Sequence, residues 1–316
     1  MEFINGFTFL MRESETQGFA GEETKASMKL LKESTGCNYL ILAFGALQDT
    51  PQSEQIAVSG PHIPTDDELL QVIGYARDLG LKIVLKPMLN CRDGVWRAHI
   101  NFFDKEVPCE PKWSVWFENY MDYITHFAAI AEETKCEMFM VGCEMVQTER
   151  KEKYWRELVR RVRTLYHGPL TYNTDKYQED EVTWWDCLDV ISASGYYPQD
   201  KWEENLDRIE TVVRKFQKPF FFAECGCMCR EGCTKAPNDW TYQGTYNLQV
   251  QADYFKNMFA VCSKRDWVEG FGFWAWVNNP SDDEGILDDG YGVYGKPSCE
   301  VIKAFYGRNE DYYESK

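Results

Sequence analysis

Short apolar runs alternate with longer helical stretches along the whole chain. The runs are Phe3 to Leu10, Cys37 to Phe44, Leu81 to Leu85, Phe139 to Glu144, Leu170 to Asn173, Leu188 to Ser194, Phe220 to Glu224 and Gly270 to Trp274. Each is four to eight residues long and largely apolar on both faces. That is the signature of strands buried on both sides, as in a parallel sheet covered by helices. Between them the apolar positions fall on one side of helical windows at Glu22 to Ser34, Trp113 to Glu133, Lys153 to Tyr166, Glu203 to Phe216 and Asn247 to Ser263. A further helix starts at Thr65, where Glu68 three residues on completes a capping-box pattern, and stops near Leu79 before Gly80. Pro297 to Phe305 reads as a closing helix.

Eight strands alternating with helices predict one closed α/β barrel, a (β/α)8 TIM barrel, spanning residues 1–316 as a single domain. No Pro/Gly/Ser-rich linker or internal repeat divides the chain. An open doubly wound sheet would carry a glycine-rich phosphate turn after its first strand. That place reads Phe9-Leu10-Met11-Arg12-Glu13 instead.

Two of the runs end on a carboxylate. Phe139-Met140-Val141-Gly142-Cys143-Glu144 and Phe220-Phe221-Phe222-Ala223-Glu224 both bring a Glu to the point where an apolar strand turns. A Glu there is either paired structurally with a cation or set on the C-terminal rim where barrel enzymes keep their reacting groups. The two lie 80 residues apart, close to three units of a barrel, which places them on the fourth and seventh strands. A facing pair of carboxylates suits glycoside hydrolysis: one donates a proton to the leaving oxygen and the other, ionised, attacks the anomeric carbon or activates water.

Charge narrows the partners. With 34 Lys and Arg against 51 Asp and Glu the net charge is −17, which argues against nucleic acid and anionic membranes. No apolar run approaches a membrane span. The first residues, Met1-Glu2-Phe3-Ile4, carry no basic segment before an apolar core, which is the pattern of a cytoplasmic protein or of a secreted one after trimming. The sequence sets no oligomeric state. The 11 Trp and 18 Tyr suit either an aromatic core or a cleft whose flat rings stack on sugars.

Taken with the Glu pair and Trp274, the stretches Asn5-Gly6-Phe7, Leu85-Lys86-Pro87, Gly142-Cys143-Glu144, Phe222-Ala223-Glu224-Cys225-Gly226 and Gly272-Phe273-Trp274-Ala275-Trp276 resemble glycoside hydrolase family 113, the β-mannanases of clan A. The resemblance implies a retaining mechanism on β-1,4-linked mannan or manno-oligosaccharides, with Glu144 as acid/base, Glu224 as nucleophile, and no cofactor or metal. Tyr196 resembles the clan tyrosines that orient the nucleophile. Lys86 and Asn90, at the end of the third strand, are placed to reach sugar hydroxyls. Trp274 and Trp276 are two apart and share a face if extended. Trp96 and Trp113 bracket the long loop Cys91 to Pro111 and are candidates for stacking on distal rings. Most of the clan carries Asn before the acid/base; here that residue is Cys143, a weaker donor. Because the 2-hydroxyl of mannose is axial, the exchange is a candidate determinant of sugar preference.

The alternatives are another clan A β-glycosidase, such as a glucanase or β-mannosidase, and a non-catalytic carbohydrate-binding barrel with a thiol- or metal-sensing loop. The latter rests on Cys225, Cys227, Cys229 and Cys233, whose spacing matches neither the usual zinc nor the common iron–sulfur patterns. Extended backbone would put the first three on one face. The acidic run Ser281-Asp282-Asp283-Glu284 with Asp288-Asp289 lacks EF-hand spacing and reads as a solvated or substrate-facing loop.

Overall fold

A computed structural model describes residues 1–11, 18–276 and 290–314, with side chains to residue 308. The acidic run from Ser281 to Asp289 lies outside the described residues. Eight strands close into a barrel: β1 (Ile4–Leu10), β2 (Tyr39–Gln48), β3 (Lys82–Cys91), β4 (Met138–Cys143), β5 (Leu170–Thr174), β6 (Val190–Gly195), β7 (Phe220–Cys225) and β8 (Val268–Trp276). All neighbours are parallel, and β8 returns to pair with β1 from Ile4 opposite Gly270 to Phe9 opposite Trp276. This is the (β/α)8 TIM barrel that the alternation of apolar runs predicts.

The outer layer consists of α1 (Glu22–Thr35), α2 (Asp66–Asp78), α3 (Trp113–Glu133), α4 (Val146–Glu149), α5 (Glu152–Val162), α6 (Trp202–Phe216), α7 (Leu248–Cys262) and α8 (Pro297–Glu314). The link from β5 to β6 holds only a 3₁₀ turn at Trp185–Cys187, with Trp184 and Trp185 both buried and Trp184 stacked on Trp155. Helix α2 starts on a complete capping box: Thr65 Oγ1 accepts from the Glu68 N–H at 3.3 Å and Glu68 returns a carboxylate oxygen to the Thr65 N–H at 2.9 Å. The Tyr306 hydroxyl of α8 reaches the carbonyls of both Gly6 on β1 and Phe271 on β8, at 3.1 and 3.4 Å, so the last helix latches the first strand to the last.

β2 and β3 run further than their apolar patterns suggest, each to ten residues, paired from Tyr39–Lys82 to Gln48–Cys91. On its other side β3 bonds β4 only at Val84 and Leu85. Pro87 lies just beyond and has no N–H to give. The upper halves of β2 and β3 therefore stand above the rim as a two-stranded wall.

Inside the barrel an apolar plug that includes Ile41, Val84, Met140 and Phe221 fills the lower half. A second layer of Ala43, Met88 and Cys143, with Leu10 and Trp274 against it, forms a floor near the C-terminal rim. Three strands carry one extra residue just at this level. Met140 to Cys143 spans three steps of β4 against two on β5, Ala193 to Ser194 on β6 faces Phe222 to Glu224 on β7, and Phe7 to Phe9 on β1 faces Phe273 to Trp276 on β8. Such bulges re-aim the side chains that follow them.

Candidate active site

The bulges decide what the rim presents. On β7, strict alternation from the inward Phe221 and Ala223 would turn Glu224 toward the helices. The extra residue turns it into the barrel mouth instead. On β4, the outward Val141 is followed by Gly142, where a Cβ would meet Trp155 and Tyr172 at 2.9 Å, and then by the inward Cys143. Glu144 completes the turn with φ at +51°, a left-handed conformation that a side chain rarely takes.

The two carboxylates open into one cleft of about 550 Å³ on the C-terminal rim, lined also by Asn90, Trp96, Arg97, Asp175, Lys176, Tyr196, Asn238, Trp240 and Trp274. Their partners differ. Glu224 is 4 % exposed, forms an ion pair with the fully buried Lys86 ammonium, and accepts from the Tyr196 hydroxyl at 3.1 Å. The Cys143 thiol approaches the same Glu224 oxygen as Lys86, at 3.5 Å. Glu144 accepts from the Ser194 hydroxyl at 2.7 Å, from Arg97 at 3.0 Å and from the Trp96 indole at 3.2 Å. Burial first, and the Glu224 charge second, push the Glu144 carboxyl above the ordinary carboxylate range, and Arg97 and Ser194 offset only part of that rise. Burial and the neighbouring Glu144 likewise lift Asp175 to about 7.

A continuous chain of hydrogen bonds runs beneath the cleft from one carboxylate to the other. Ser194 joins Glu144 to Asn173, whose amide donates to the Ser194 oxygen at 3.0 Å. The side-chain Oδ1 of Asn173 accepts from Lys86 at 3.0 Å, and Lys86 holds Glu224. Members of such a network hold one another in place.

Of the residues singled out in the sequence, Glu144, Glu224, Asn90, Trp96, Tyr196 and Trp274 line the cleft. Lys86 does not reach toward sugar hydroxyls: it is 0 % exposed and its ammonium is taken by Glu224 and Asn173 under the floor. Trp276 is outside the site. The β8 bulge sets it on the opposite face from Trp274, in the outer core, where it is 1 % exposed, packs on Phe7 and donates to Ser27 Oγ at 2.9 Å. Trp113 is equally remote, buried beneath Arg150 and Lys151.

Sequence reasoning left Arg97, Asn173, Asp175, Ser194 and Trp240 without a role. Trp240 is 61 % exposed on the loop after β7 and meets Trp274 edge to face at 6.1 Å. A lone Trp in the polar stretch Pro237-Asn238-Asp239-Trp240-Thr241 was the available signal. The cysteine run folds differently from an extended strand: Cys227 and Cys233 meet at 3.4 Å between sulfurs, whereas Cys225 faces the Gly272 carbonyl. None of the four is joined in a disulfide, and among the described residues no three His, Cys, Asp or Glu side chains converge as a metal site requires.

Comparison with known proteins gives one consistent answer. The family model for Glycoside Hydrolase Family 113 matches residues 7–296. A solved GH113 β-1,4-mannanase is 53% identical with a TM-score of 0.94, over 97% of this chain and 99% of its own. The GH113 β-mannanase AaManA from Alicyclobacillus acidocaldarius, solved with ManMIm, is 38% identical with a TM-score of 0.92, over 98% of each chain. A β-D-glucuronidase from Dictyoglomus thermophilum, 16% identical with a TM-score of 0.67, shares the fold over 51% of its own length. Comparison with curated protein sequences returns no match.

Proposed function

The chain belongs to glycoside hydrolase family 113, and on that premise we propose that it cleaves β-1,4-mannosidic bonds in mannan or manno-oligosaccharides with retention, Glu144 acting as acid/base and Glu224 as nucleophile. The solved family members it resembles are β-mannanases, which supports the substrate class. The observation that carries the assignment of roles is the unequal setting of two buried carboxylates in one cleft. Glu224 is held by a lysine ammonium and a tyrosine hydroxyl, both donors that suit an ionised nucleophile. Glu144 is the carboxyl whose burial and charged neighbour Glu224 favour the protonated form, the direction a general acid needs.

On this reading the reaction is a double displacement. The sugar on the glycone side sits over the floor at Trp274. Glu144 protonates the departing oxygen as Glu224 attacks the anomeric carbon and forms a glycosyl-enzyme. The C–O bond to the aglycone breaks, and the aglycone leaves as an alcohol. Glu144, now ionised, takes a proton from water, and that water displaces Glu224 from the anomeric carbon. Tyr196 and Lys86 keep the Glu224 oxygens aimed during both steps. Trp96, Trp240 and Trp274 give the cleft flat apolar faces against which pyranose rings stack.

Incubation with mannohexaose and with gluco-oligosaccharides tests the substrate class, and product lengths separate endo from exo action. NMR of the first product tests retention through its β-anomer. Glu224→Gln is expected to abolish hydrolysis; full activity in that variant would remove Glu224 from the role.

A further inference from the structure

Glu149, on the short helix that follows Glu144, is a buried carboxyl for which hydrolysis itself offers no task. It is 3 % exposed and, among the described residues, in no ion pair; its Oε1 accepts from the hydroxyls of Tyr172 and Thr174, both at 2.8 Å, while its Oε2 has no hydrogen-bond partner among them. An apolar side chain of similar size would be easier to bury there. The main chain gives Glu149 no room to withdraw. The stacked indoles of Trp155 and Trp184 donate to the carbonyls of Thr148 and Glu149 at 3.0 and 3.1 Å and pin the segment.

What Glu149 holds is informative. By accepting the Tyr172 proton it fixes the rotation of that hydroxyl, so that a lone pair of the Tyr172 oxygen faces the N–H of Met145, which donates to it at 2.9 Å. Met145 directly follows Glu144, whose backbone lies in the left-handed region at φ +51° and whose own N–H is taken by the Asn173 carbonyl at 2.7 Å. A residue in that conformation persists only where its surroundings hold it. The two N–H groups on either side of the Glu144 Cα donate to adjacent residues of β5, the Tyr172 hydroxyl and the Asn173 main-chain carbonyl.

We propose that Glu149 and Tyr172 form a positioning relay for Glu144: the carboxyl orients the phenol, the phenol holds the Met145 N–H, and that bond keeps the turn that aims the acid/base into the cleft. Glu149 and Tyr172 touch neither substrate nor the reacting atoms. Burial lifts the Glu149 carboxyl to about 8, so it is mostly protonated at neutral pH and its carbonyl oxygen serves both hydroxyls. Gln offers the same oxygen in the same shape, which separates the relay from a need for charge. The inference rests on Glu144 being the acid/base.

The test uses the full chain, with two substrates that differ in their demand for acid. Mannohexaose has a poor leaving group; 2,4-dinitrophenyl β-mannobioside leaves without protonation. Glu144→Ala comes first: it should fail on mannohexaose, keep its burst on the aryl glycoside and be accelerated by azide. Absence of that pattern overturns the acid/base reading itself. Given that pattern, Tyr172→Phe and Glu149→Leu are expected to lower kcat on mannohexaose tenfold or more with KM unchanged, to leave the aryl-glycoside burst within twofold of wild type, and Glu149→Gln to restore the rate. Wild-type kcat on mannohexaose in folded Tyr172→Phe would overturn the relay while leaving Glu144 in place, as would equal losses on the two substrates. A Glu149→Gln protein as slow as Glu149→Leu would remove Glu149 from it.

Discussion

Lys86 and Glu224 form an ion pair across the barrel mouth, from β3 to β7, with side chains 0 and 6% exposed. A charge in that position is tolerable only beside its opposite. Lys86→Met should therefore strand the Glu224 charge, destabilise the protein by about 3–5 kcal/mol, and lower kcat by roughly 100-fold or more. Urea unfolding and steady-state kinetics on mannohexaose check the two effects separately. Stability and turnover both close to wild type would mean that the pair does not hold the carboxylate.

Arg97 is the cation on the other carboxyl, and its effect on pH has a definite sign. Its charge favours ionised Glu144 and so partly offsets the rise caused by burial and by Glu224. Arg97→Met removes that offset, so Glu144 should keep its proton to higher pH. The alkaline limb of the kcat/KM profile is expected to move up by about one pH unit. A downward shift would contradict the assignment of Glu144 as the acid.

Cys143 places its sulfur 3.5 Å from Glu224 and 3.7 Å from Asn173, at the end of β4. Its thiol is a weak donor, and an asparagine there would bring an amide to the 2-hydroxyl side of the sugar. Cys143→Asn should change the ratio of mannoside to glucoside turnover by about fivefold or more, the scale of one hydrogen bond in a closed site. Paired assays on aryl mannosides and glucosides read that ratio directly.

Trp274 and Trp276 should respond in opposite ways although they are near neighbours in sequence. Trp274 lines the cleft, so Trp274→Ala is expected to raise KM roughly tenfold and to shift the melting temperature little. Trp276 sits in the outer core bonded to Ser27, so Trp276→Ala should cost about 3–5 kcal/mol of stability. Thermal melts beside initial rates distinguish the two.

Glu149 makes stability depend on pH. Its folded-state carboxyl titrates at about 8 against an ordinary value of 4.5. As pH rises from 4.5 the unfolded chain releases this proton first, so the group's stabilising contribution is complete below 4.5 and is lost progressively up to 8. At most about 5 kcal/mol is at stake. Urea denaturation at pH 5 and pH 8.5 should show a smaller fall for Glu149→Gln than for wild type. Identical falls would place the titration elsewhere.

The barrel was legible because each strand is an apolar block closed off by polar residues, and the Glu pair stood out because carboxylates rarely end such blocks. What escaped was set by single inserted residues. A period-two reading puts Trp274 and Trp276 on one face, and the β8 bulge puts them on opposite ones. The same kind of insertion on β4 and β7 aims Cys143 and Glu224 inward. Lys86 looked like a rim residue because the apolar run ended at Leu85, yet β3 continues past it to Cys91 and leaves Lys86 beneath the floor. Asn173 and Ser194 looked like ordinary strand polar groups, since only barrel closure reveals that they bridge the two acids.

The latch of Tyr306 onto β1 and β8 bears on how the molecule is made. β1 leaves the ribosome long before the strand that covers its open side, which begins only at Val268. Until then the nascent sheet has an uncovered row of N–H and C=O groups, an invitation to pair with another chain. Deleting the segment from Pro297 onward would strip away the latch that ties those two strands, and such a truncated polypeptide should accumulate in inclusion bodies.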